Sequence, residues 1–287
     1  MATAVNPPQQ TLAAPLVAEG VGLHTGAWCK ARALPAPPHH GVRFVRVDLP
    51  GAPELPASVS HVRSTVLATT LGDGEASVST VEHLLATLYA LGIDNARIEV
   101  EGPEVPVLDG SAGVWTERAL AVGVVPQDAE VAVLRLTRPL TLSDGDREVI
   151  LRPCETGLRL QVTVNFDHPT IGEQRVQLAV SPESFLAELA WARTFGFLEE
   201  VERIRAAGLA RGGSLENAVV FCRERGVLNP EGLRAADEPV RHKALDLLGD
   251  LSLLGARLYA EVEVRRPGHG MTLQVVRALL NEASARP

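Results

Sequence analysis

The sequence of 287 residues contains few aromatic residues and few cysteines. Phe, Trp and Tyr make up 4% of the chain against 46% apolar residues, so its cores must be built mainly from Val, Leu and Ala. Three cysteines, an odd number at wide spacing, argue against a disulfide framework or a cysteine-based metal site, and they favour a reducing cytoplasm. No stretch approaches the about 18–20 apolar residues of a membrane span, and we expect no export signal.

The charge balance also limits the partners of this chain. A net charge of −8 provides no general attraction to nucleic acid or to an acidic membrane surface, so an anionic ligand must be bound locally. Only two of the 27 basic residues are lysines, Lys30 and Lys243, which draws attention to Lys243. We expect a cytoplasmic monomer that has no nucleic-acid partner and makes at most transient contact with a membrane surface.

The pattern of apolar residues predicts two similar α+β domains, residues 1–128 and 129–287, with the active site in the cleft between them. A linker is predicted at residues 123–129. In the first half, strands are expected at 11–19, 27–34, 42–47, 65–71 and 96–100, and helices at 80–91 and 112–122. In the second half, strands are expected at 158–166 and 258–265, and helices at 181–189, 197–207, 239–254 and after Gly270.

One helix carries a polar stripe that could bind a metal ion. His242, Asp246 and Asp250 stand at positions i, i+4 and i+8 of the helix predicted at 239–254, so their side chains share one face. An imidazole and a carboxylate one turn apart can both reach an ion at about 2 Å, and a third ligand would leave a fourth position for water. The common alternative for such a pair is a solvated helix face.

A second helix offers the partner for that stripe, because Glu82 and His83 stand in its first turn. In metal-assisted hydrolysis, a histidine can hold the metal while a glutamate takes a proton from water. Two structural alternatives remain open. Glu82 could complete a capping box with Ser79, and His83 could be a buried histidine with a purely structural role.

His269 and Lys243 are further candidates. His269 is predicted to lie on a tight turn before the last helix, where a hydrogen bond to Asp250 would keep it protonated for proton donation or for stabilising an oxyanion. Lys243 follows His242 directly and could hold an anionic group near the metal. A surface-loop histidine and an ordinary exposed lysine are the alternatives.

Seven ordered motifs resemble those of the UDP-3-O-acyl-N-acetylglucosamine deacetylases. The resemblance extends over about residues 12–280. The motifs are EGVGLHTG at 19–26, STVEHLLA at 79–86, GIDN at 92–95, PEVPVLDGS at 103–111, ARTFGF at 192–197, GGSLEN at 212–217 and VRHKALDLLGD at 240–250.

This resemblance implies a zinc amidase that removes acetate from the 2-amino group of a UDP-linked, 3-O-acylated glucosamine in lipid A synthesis. It implies that Glu82 is the general base and that His269, paired with Asp250, is an acid or electrostatic stabiliser. The implied ligands of Zn²⁺ are His83, His242 and Asp246. Thr194 would lie beside the developing oxyanion, and Lys243 and Arg266 would meet the nucleotide-sugar end. The implied apolar passage for the acyl chain, in an insertion of the second domain, is lined by Phe195, Phe197, Val201, Leu215 and Val220.

The chain departs from the family pattern in places that leave the proposed metal and acid-base residues intact. Residues 64–66 read Ser-Thr-Val instead of Asp-Thr-Arg, and Arg266-Pro267 replaces Lys-Ser before Gly268-His269. Two alternatives therefore stand beside the deacetylase: a non-catalytic binder of acylated sugar nucleotides, and a zinc hydrolase acting on a different N-acylated amino sugar.

Overall fold

The computed structural model describes residues 6–284. The first five residues of the predicted first domain and the last three of the predicted second domain lie outside the described residues. The described residues form a mixed α+β structure, which confirms the predicted fold class. The helices of this part are α1 (Glu82–Ala90), α2 (Gly113–Val122), α3 (Pro182–Glu188), α4 (Leu198–Ala206), α5 (Glu238–Leu251) and α6 (His269–Ser284). Short 3₁₀ helices are formed by Val59–His61, before α1, and by Ser252–Leu254, directly after α5.

The strands of the first half are β1 (Pro8–Leu12), β2 (Leu16–Val21), β3 (Trp28–Pro35), β4 (Val42–Arg46), β5 (Glu54–Pro56), β6 (Val62–Ser64), β7 (Thr70–Asp73), β8 (Ala76–Val78) and β9 (Ala96–Glu101). This half is built around a five-stranded sheet with the order β2-β3-β9-β4-β5. Strands β6, β7 and β8 form a second, antiparallel sheet, and β1 pairs with a strand from further along the chain.

The strands of the second half are β10 (Val124–Glu130), β11 (Val133–Arg135), β12 (Leu140–Asp144), β13 (Arg147–Pro153), β14 (Leu158–Phe166), β15 (Gly172–Ala179), β16 (Phe195–Phe197), β17 (Val219–Cys222), β18 (Gly226–Val227) and β19 (Arg257–Arg265). This half contains a larger sheet with the order β12-β13-β19-β14-β15, and β11 joins it by pairing with β19. A small sheet, β16-β17-β18, belongs to a separate insertion together with α4.

The two main sheets share one topology. In each, the last strand in sequence, β9 or β19, enters the centre of the sheet, pairing antiparallel with one neighbour and parallel with the other. Strand β14 shows why these segments form half-buried strands: Leu158, Leu160, Val162 and Val164 are buried on one face, while the intervening residues are more exposed. The two halves therefore repeat a plan that their sequences do not visibly repeat.

The helices between the sheets bring the two halves together. Helix α1 packs against α5, and one continuous cluster of buried residues includes Leu84 and Leu88 of α1 and Leu245 and Leu248 of α5. Helix α1 is buried around nearly its whole circumference, although it includes the polar residues Glu82, His83 and Thr87. The candidate site lies on this helix pair.

Three local predictions differ from the structure. The strand predicted at 65–71 begins only at Thr70, because Leu67 adopts a left-handed conformation (φ 62°) that ends an extended run. The strand predicted at 11–19 is split into β1 and β2 near Pro15, which has no amide hydrogen for a sheet. The predicted linker 123–129 is mostly strand β10, which pairs with β1. The domain boundary at residue 128 falls within this strand and stays a prediction.

Candidate metal centre

Three buried side chains from α1 and α5 converge on one point. Nε2 of His83 lies 3.5 Å from Oδ1 of Asp246, and Nε2 of His242 lies 3.3 Å from the same oxygen. The three donor atoms all lie within 4.8 Å of one another. Donor atoms of a tetrahedral ion held at about 2 Å lie roughly 3.3 Å apart, so this triangle fits a metal ion of that kind.

The structure fixes His242 in the state that a metal ligand needs. Its Nδ1 lies 3.1 Å from the carbonyl oxygen of Ala192, so Nδ1 carries the hydrogen and Nε2 keeps its lone pair for the centre. Burial lowers the pKa of His242 to about 3, which keeps the imidazole neutral. The ring of His83 stands perpendicular to that of His242 with centroids 5.0 Å apart.

Asp246 offers an anionic oxygen atom that could bind a metal ion. Its Oδ1 is buried and has no hydrogen-bond partner among the described residues, although a buried carboxylate oxygen normally has one. Its Oδ2 accepts a hydrogen bond of 2.7 Å from Nζ of Lys243. Burial alone would raise the pKa of Asp246, but its contacts with His242 and Lys243 hold that pKa well below the usual value. This ionised oxygen lies close to Nε2 of both histidines, and a cation bound between them would supply the partner that it lacks.

Glu82 lies beside this centre, not in a helix cap. No side-chain cap bond is present at the start of α1, which excludes the capping-box alternative, and Oε2 of Glu82 instead accepts a hydrogen bond from the backbone of Thr69 at 3.1 Å. Glu82 is only 3% exposed, and burial raises the pKa of its carboxyl group. A carboxylate with a raised pKa is suited to accept and return a proton near neutral pH.

His269 forms a buried charge pair with Asp250. It is the first residue of α6 rather than part of a preceding turn, and its Nδ1 lies 2.7 Å from Oδ2 of Asp250. Thr69 Oγ1 donates to the other carboxylate oxygen of Asp250 at 2.6 Å. Burial would lower the pKa of His269, but Asp250 outweighs it and raises the value to about 9. Nε2 of the imidazolium lies 4.0 Å from Glu82 Oε1, so an acid and a base face the same space.

Close packing of α1 on α5 sets these distances. A Cβ atom built on Gly249 would overlap the carbonyl oxygen of Glu82, so the two helix backbones touch at a point where a side chain has no room. Gly249 stands between Asp246 and Asp250 in sequence. The glycine therefore lets Glu82 approach the acidic stripe of α5.

A buried ion pair holds the segment whose carbonyl group orients His242. Arg193 donates from Nε to Oε1 of Glu238 at 2.9 Å, and both side chains are almost fully buried. The Arg193 backbone donates to the same carboxylate oxygen. Since Ala192 precedes Arg193 and accepts from His242, this pair fixes both the start of α5 and the carbonyl that orients the histidine.

The predicted substrate residues lie in different environments. Thr194 is half-buried, with its backbone held between Gly110 and Val219. The Phe195 ring lies 6.1 Å from the His242 ring and 5.8 Å from Nζ of Lys243. Side chains of the implied acyl passage are half-buried, except for Leu215, which is exposed; these residues are Phe195, Phe197, Val201, Leu215 and Val220.

Arg266 is engaged in a different contact from the one implied for it. Its guanidinium contacts the carboxylate of Asp146, and its backbone adopts φ 53° three residues before His269. In the structure, the charge of Arg266 is therefore engaged by Asp146.

Sequence reasoning missed two buried residues with a structural role near the site. Thr69 bonds both Glu82 and Asp250, yet a threonine just before a strand carries no distinctive signal. Glu104, fully buried, accepts hydrogen bonds from the backbone of His24 and Thr25 and from the hydroxyl of Thr80. Its position inside the PEVPVLDGS motif was the available signal, but nothing local to that motif shows what it contacts.

The α+β fold, the His-His-Asp triangle and the adjacent acid and base define a metal-dependent hydrolase. A family model described as LpxC: UDP-3-O-acyl N-acetylglycosamine deacetylase matches residues 9–281. The chain belongs to this family.

Curated relatives align over nearly all of the chain. A UDP-3-O-acyl-N-acetylglucosamine deacetylase of Bdellovibrio bacteriovorus is 45% identical over 94% of this chain and 89% of its own. Proteins of the same name from Myxococcus xanthus and Thermosynechococcus vestitus are 44% and 47% identical; the alignments cover 96% of this chain in both cases, and 87% and 94% of the relatives. In the part of the chain that the structure describes, none of the helices has both the length and the apolar character needed to cross a membrane.

Proposed function

We propose that this protein is a zinc-dependent deacetylase that hydrolyses the N-acetyl group of UDP-3-O-acyl-N-acetylglucosamine to the free amine and acetate, a step of lipid A biosynthesis. The observation that carries the proposal is the convergence of a three-ligand metal triangle with Glu82 and His269. The family and the names of the curated relatives support the substrate.

Zinc suits a donor set of two imidazoles and one carboxylate, which leaves one position open in a tetrahedral site. His83, His242 and Asp246 would hold the ion. When bound, zinc supplies a Lewis acid and lowers the pKa of a water molecule to about 7.

The remaining steps belong to side chains of this chain. Glu82, with its raised pKa, takes the proton from the attacking water. His269, kept cationic by Asp250, donates a proton to the departing amine nitrogen as the C–N bond breaks. The half-buried Thr194 would lie beside the developing oxyanion, and Lys243 would meet the sugar-nucleotide end.

The direct test is acetate release from the UDP-3-O-acyl substrate by purified protein, before and after chelation, with metal content measured in parallel. We expect about one zinc per chain, loss of release on chelation and recovery on adding zinc back. Metal binding without any acetate release would favour the non-catalytic binder. Release only from a different N-acylated amino sugar would replace the substrate but keep the chemistry.

A further inference from the structure

Glu104 is a fully buried acidic residue to which the proposed reaction assigns no part. Its Oε1 accepts hydrogen bonds from the backbone of His24 at 3.0 Å and from the hydroxyl of Thr80 at 2.7 Å. Its Oε2 accepts from the backbone of Thr25 at 3.0 Å and from the hydroxyl of the same residue at 2.8 Å. A carboxyl group is costly to bury unless hydrogen bonds replace its water. The surroundings of Glu104 are therefore built to satisfy both of its oxygens with neutral donors.

One of these donors belongs to a strained turn. Thr80 is 3% exposed and has φ 57°, a left-handed conformation that is rare for a β-branched residue and persists only where the surroundings hold it. The backbone around it is also held, because Ser79 donates to the carbonyl of Pro103 and Val105 donates to the carbonyl of Ser79. The hydroxyl bond to Glu104 adds a side-chain contact that fixes the turn in its unusual conformation.

This turn leads directly into the end of α1 that carries the proposed chemistry. Glu82 and His83 lie in the first turn of α1, which begins without a side-chain cap. Val81, between Thr80 and Glu82, donates a long hydrogen bond of 3.4 Å to the carbonyl of Thr69. A shift of Thr80 would therefore move both the proposed base and one of the proposed metal ligands.

The other donors to Glu104 belong to a separate loop, residues 22–26. This loop packs on the insertion of the second half, where the backbone of Arg211 donates to the carbonyl of His24. Thr25 is thus bonded to the same carboxyl group as Thr80, but it does not lead into α1. The two threonines therefore separate an effect on α1 from a general effect of losing a hydrogen bond to Glu104.

We propose that Glu104 is a positioning residue for the deacetylase reaction: through the hydroxyl of Thr80, it holds the start of α1 where Glu82 acts as base and His83 binds the metal. The inference rests on the proposed deacetylase function. It gives Glu104 a role in turnover that is distinct from its contribution to stability.

Variants of Thr80 carry the test, because Glu104→Gln would turn an amide nitrogen toward buried donors and lower the melting temperature whatever the role of Glu104. Thr80→Val keeps the shape of the side chain but removes the hydroxyl. Thr80→Gly also removes the hydroxyl, and it relieves the strain because glycine readily adopts a positive φ. Thr80→Ser keeps the hydroxyl and should restore function. Thr25→Val is the matched control, since it removes a hydrogen bond of similar length to the other oxygen.

The measurements are kcat and KM for acetate release, the dissociation constant of Zn²⁺ by chelator competition, and the melting temperature. We expect Thr80→Val and Thr80→Gly to lower kcat by roughly 10- to 100-fold and to weaken zinc binding by about tenfold, as when groups that orient metal ligands are lost, with KM changed by less than about threefold. Thr80→Ser and Thr25→Val should keep kcat and zinc binding near the wild-type values. A purely structural role predicts instead that the losses follow the melting temperature, so that Thr80→Gly is affected least.

Three results would overturn the inference: wild-type kcat and zinc affinity in Thr80→Gly, losses in Thr80→Ser as large as those in Thr80→Val, or equal losses in Thr25→Val. If Thr80→Val does not fold, Thr80→Gly gives the same comparison without the strain. If the wild type releases no acetate from the UDP-3-O-acyl substrate, the deacetylase proposal fails by itself. The zinc dissociation constants of the same variants then decide whether Glu104 positions the start of α1.

Discussion

Replacing Asp250 with asparagine changes the charge next to His269 while keeping the shape of the side chain. In the wild type, the pKa of His269 is about 9, so roughly 90% of the imidazole is protonated at pH 8. In Asp250→Asn the strongest influence that raises this pKa is lost, while burial still lowers it. Glu82 and Asp246 still raise it, so we expect the pKa of His269 to fall toward the ordinary 6.5. At a pKa of 6.5, about 3% of the imidazole would be protonated at pH 8.

If the imidazolium donates the proton to the amine, kcat of Asp250→Asn should fall by up to about 30-fold at pH 8, and by less as the pH is lowered. The wild type should lose activity as the pH rises through about 9, because His269 then loses its proton. The assay is the pH profile of acetate release, with zinc content measured for each protein.

Thr69→Val is the matched control, since it removes one hydrogen bond to Asp250 and leaves the carboxylate in place. The alkaline limb of its pH profile of acetate release should have its midpoint within about one pH unit of the wild-type midpoint. The reasoning is refuted if Asp250→Asn keeps the wild-type alkaline limb, or if its activity falls by the same factor at every pH.

Other predictions concern the base and the packing around the centre. Glu82→Gln should keep zinc but lose on the order of 10²-fold or more in kcat; near-normal turnover would remove Glu82 as the base. Gly249→Ala should lower both melting temperature and activity, costing about 1–3 kcal/mol through the overlap with α1, whereas Gly270→Ala meets only an ordinary contact and should be mild. Arg193 binds two carboxylates, the buried Glu238 and the exposed Glu231. Glu238→Gln removes the buried charge that pairs with Arg193 and should cost about 3 kcal/mol in unfolding free energy, whereas Glu231→Gln should have a much smaller effect because solvent screens that carboxylate. Equal losses in either pair would contradict the packing argument.

Short-range patterns in the chain were sufficient for its regular elements. The alternation from Leu158 to Phe166 predicted β14, and the apolar spacing at 80–91 and 239–254 predicted α1 and α5, because both signals depend only on neighbours along the chain. The breaks were harder to predict. The left-handed Leu67 depends on contacts from outside its own segment, and the pairing of β10 with β1 joins residues more than a hundred positions apart.

Local patterns were enough to identify the residues that could carry the chemistry: helical spacing places His242, Asp246 and Asp250 on one face, and the family resemblance marked Glu82 and His269. That these groups meet is a property of the folded chain. The tertiary structure placed α1 on α5 through Gly249, and it set the protonation state of His269 by burying it against a carboxylate. Such facts depend on distances between segments remote in sequence, on which local patterns carry no information.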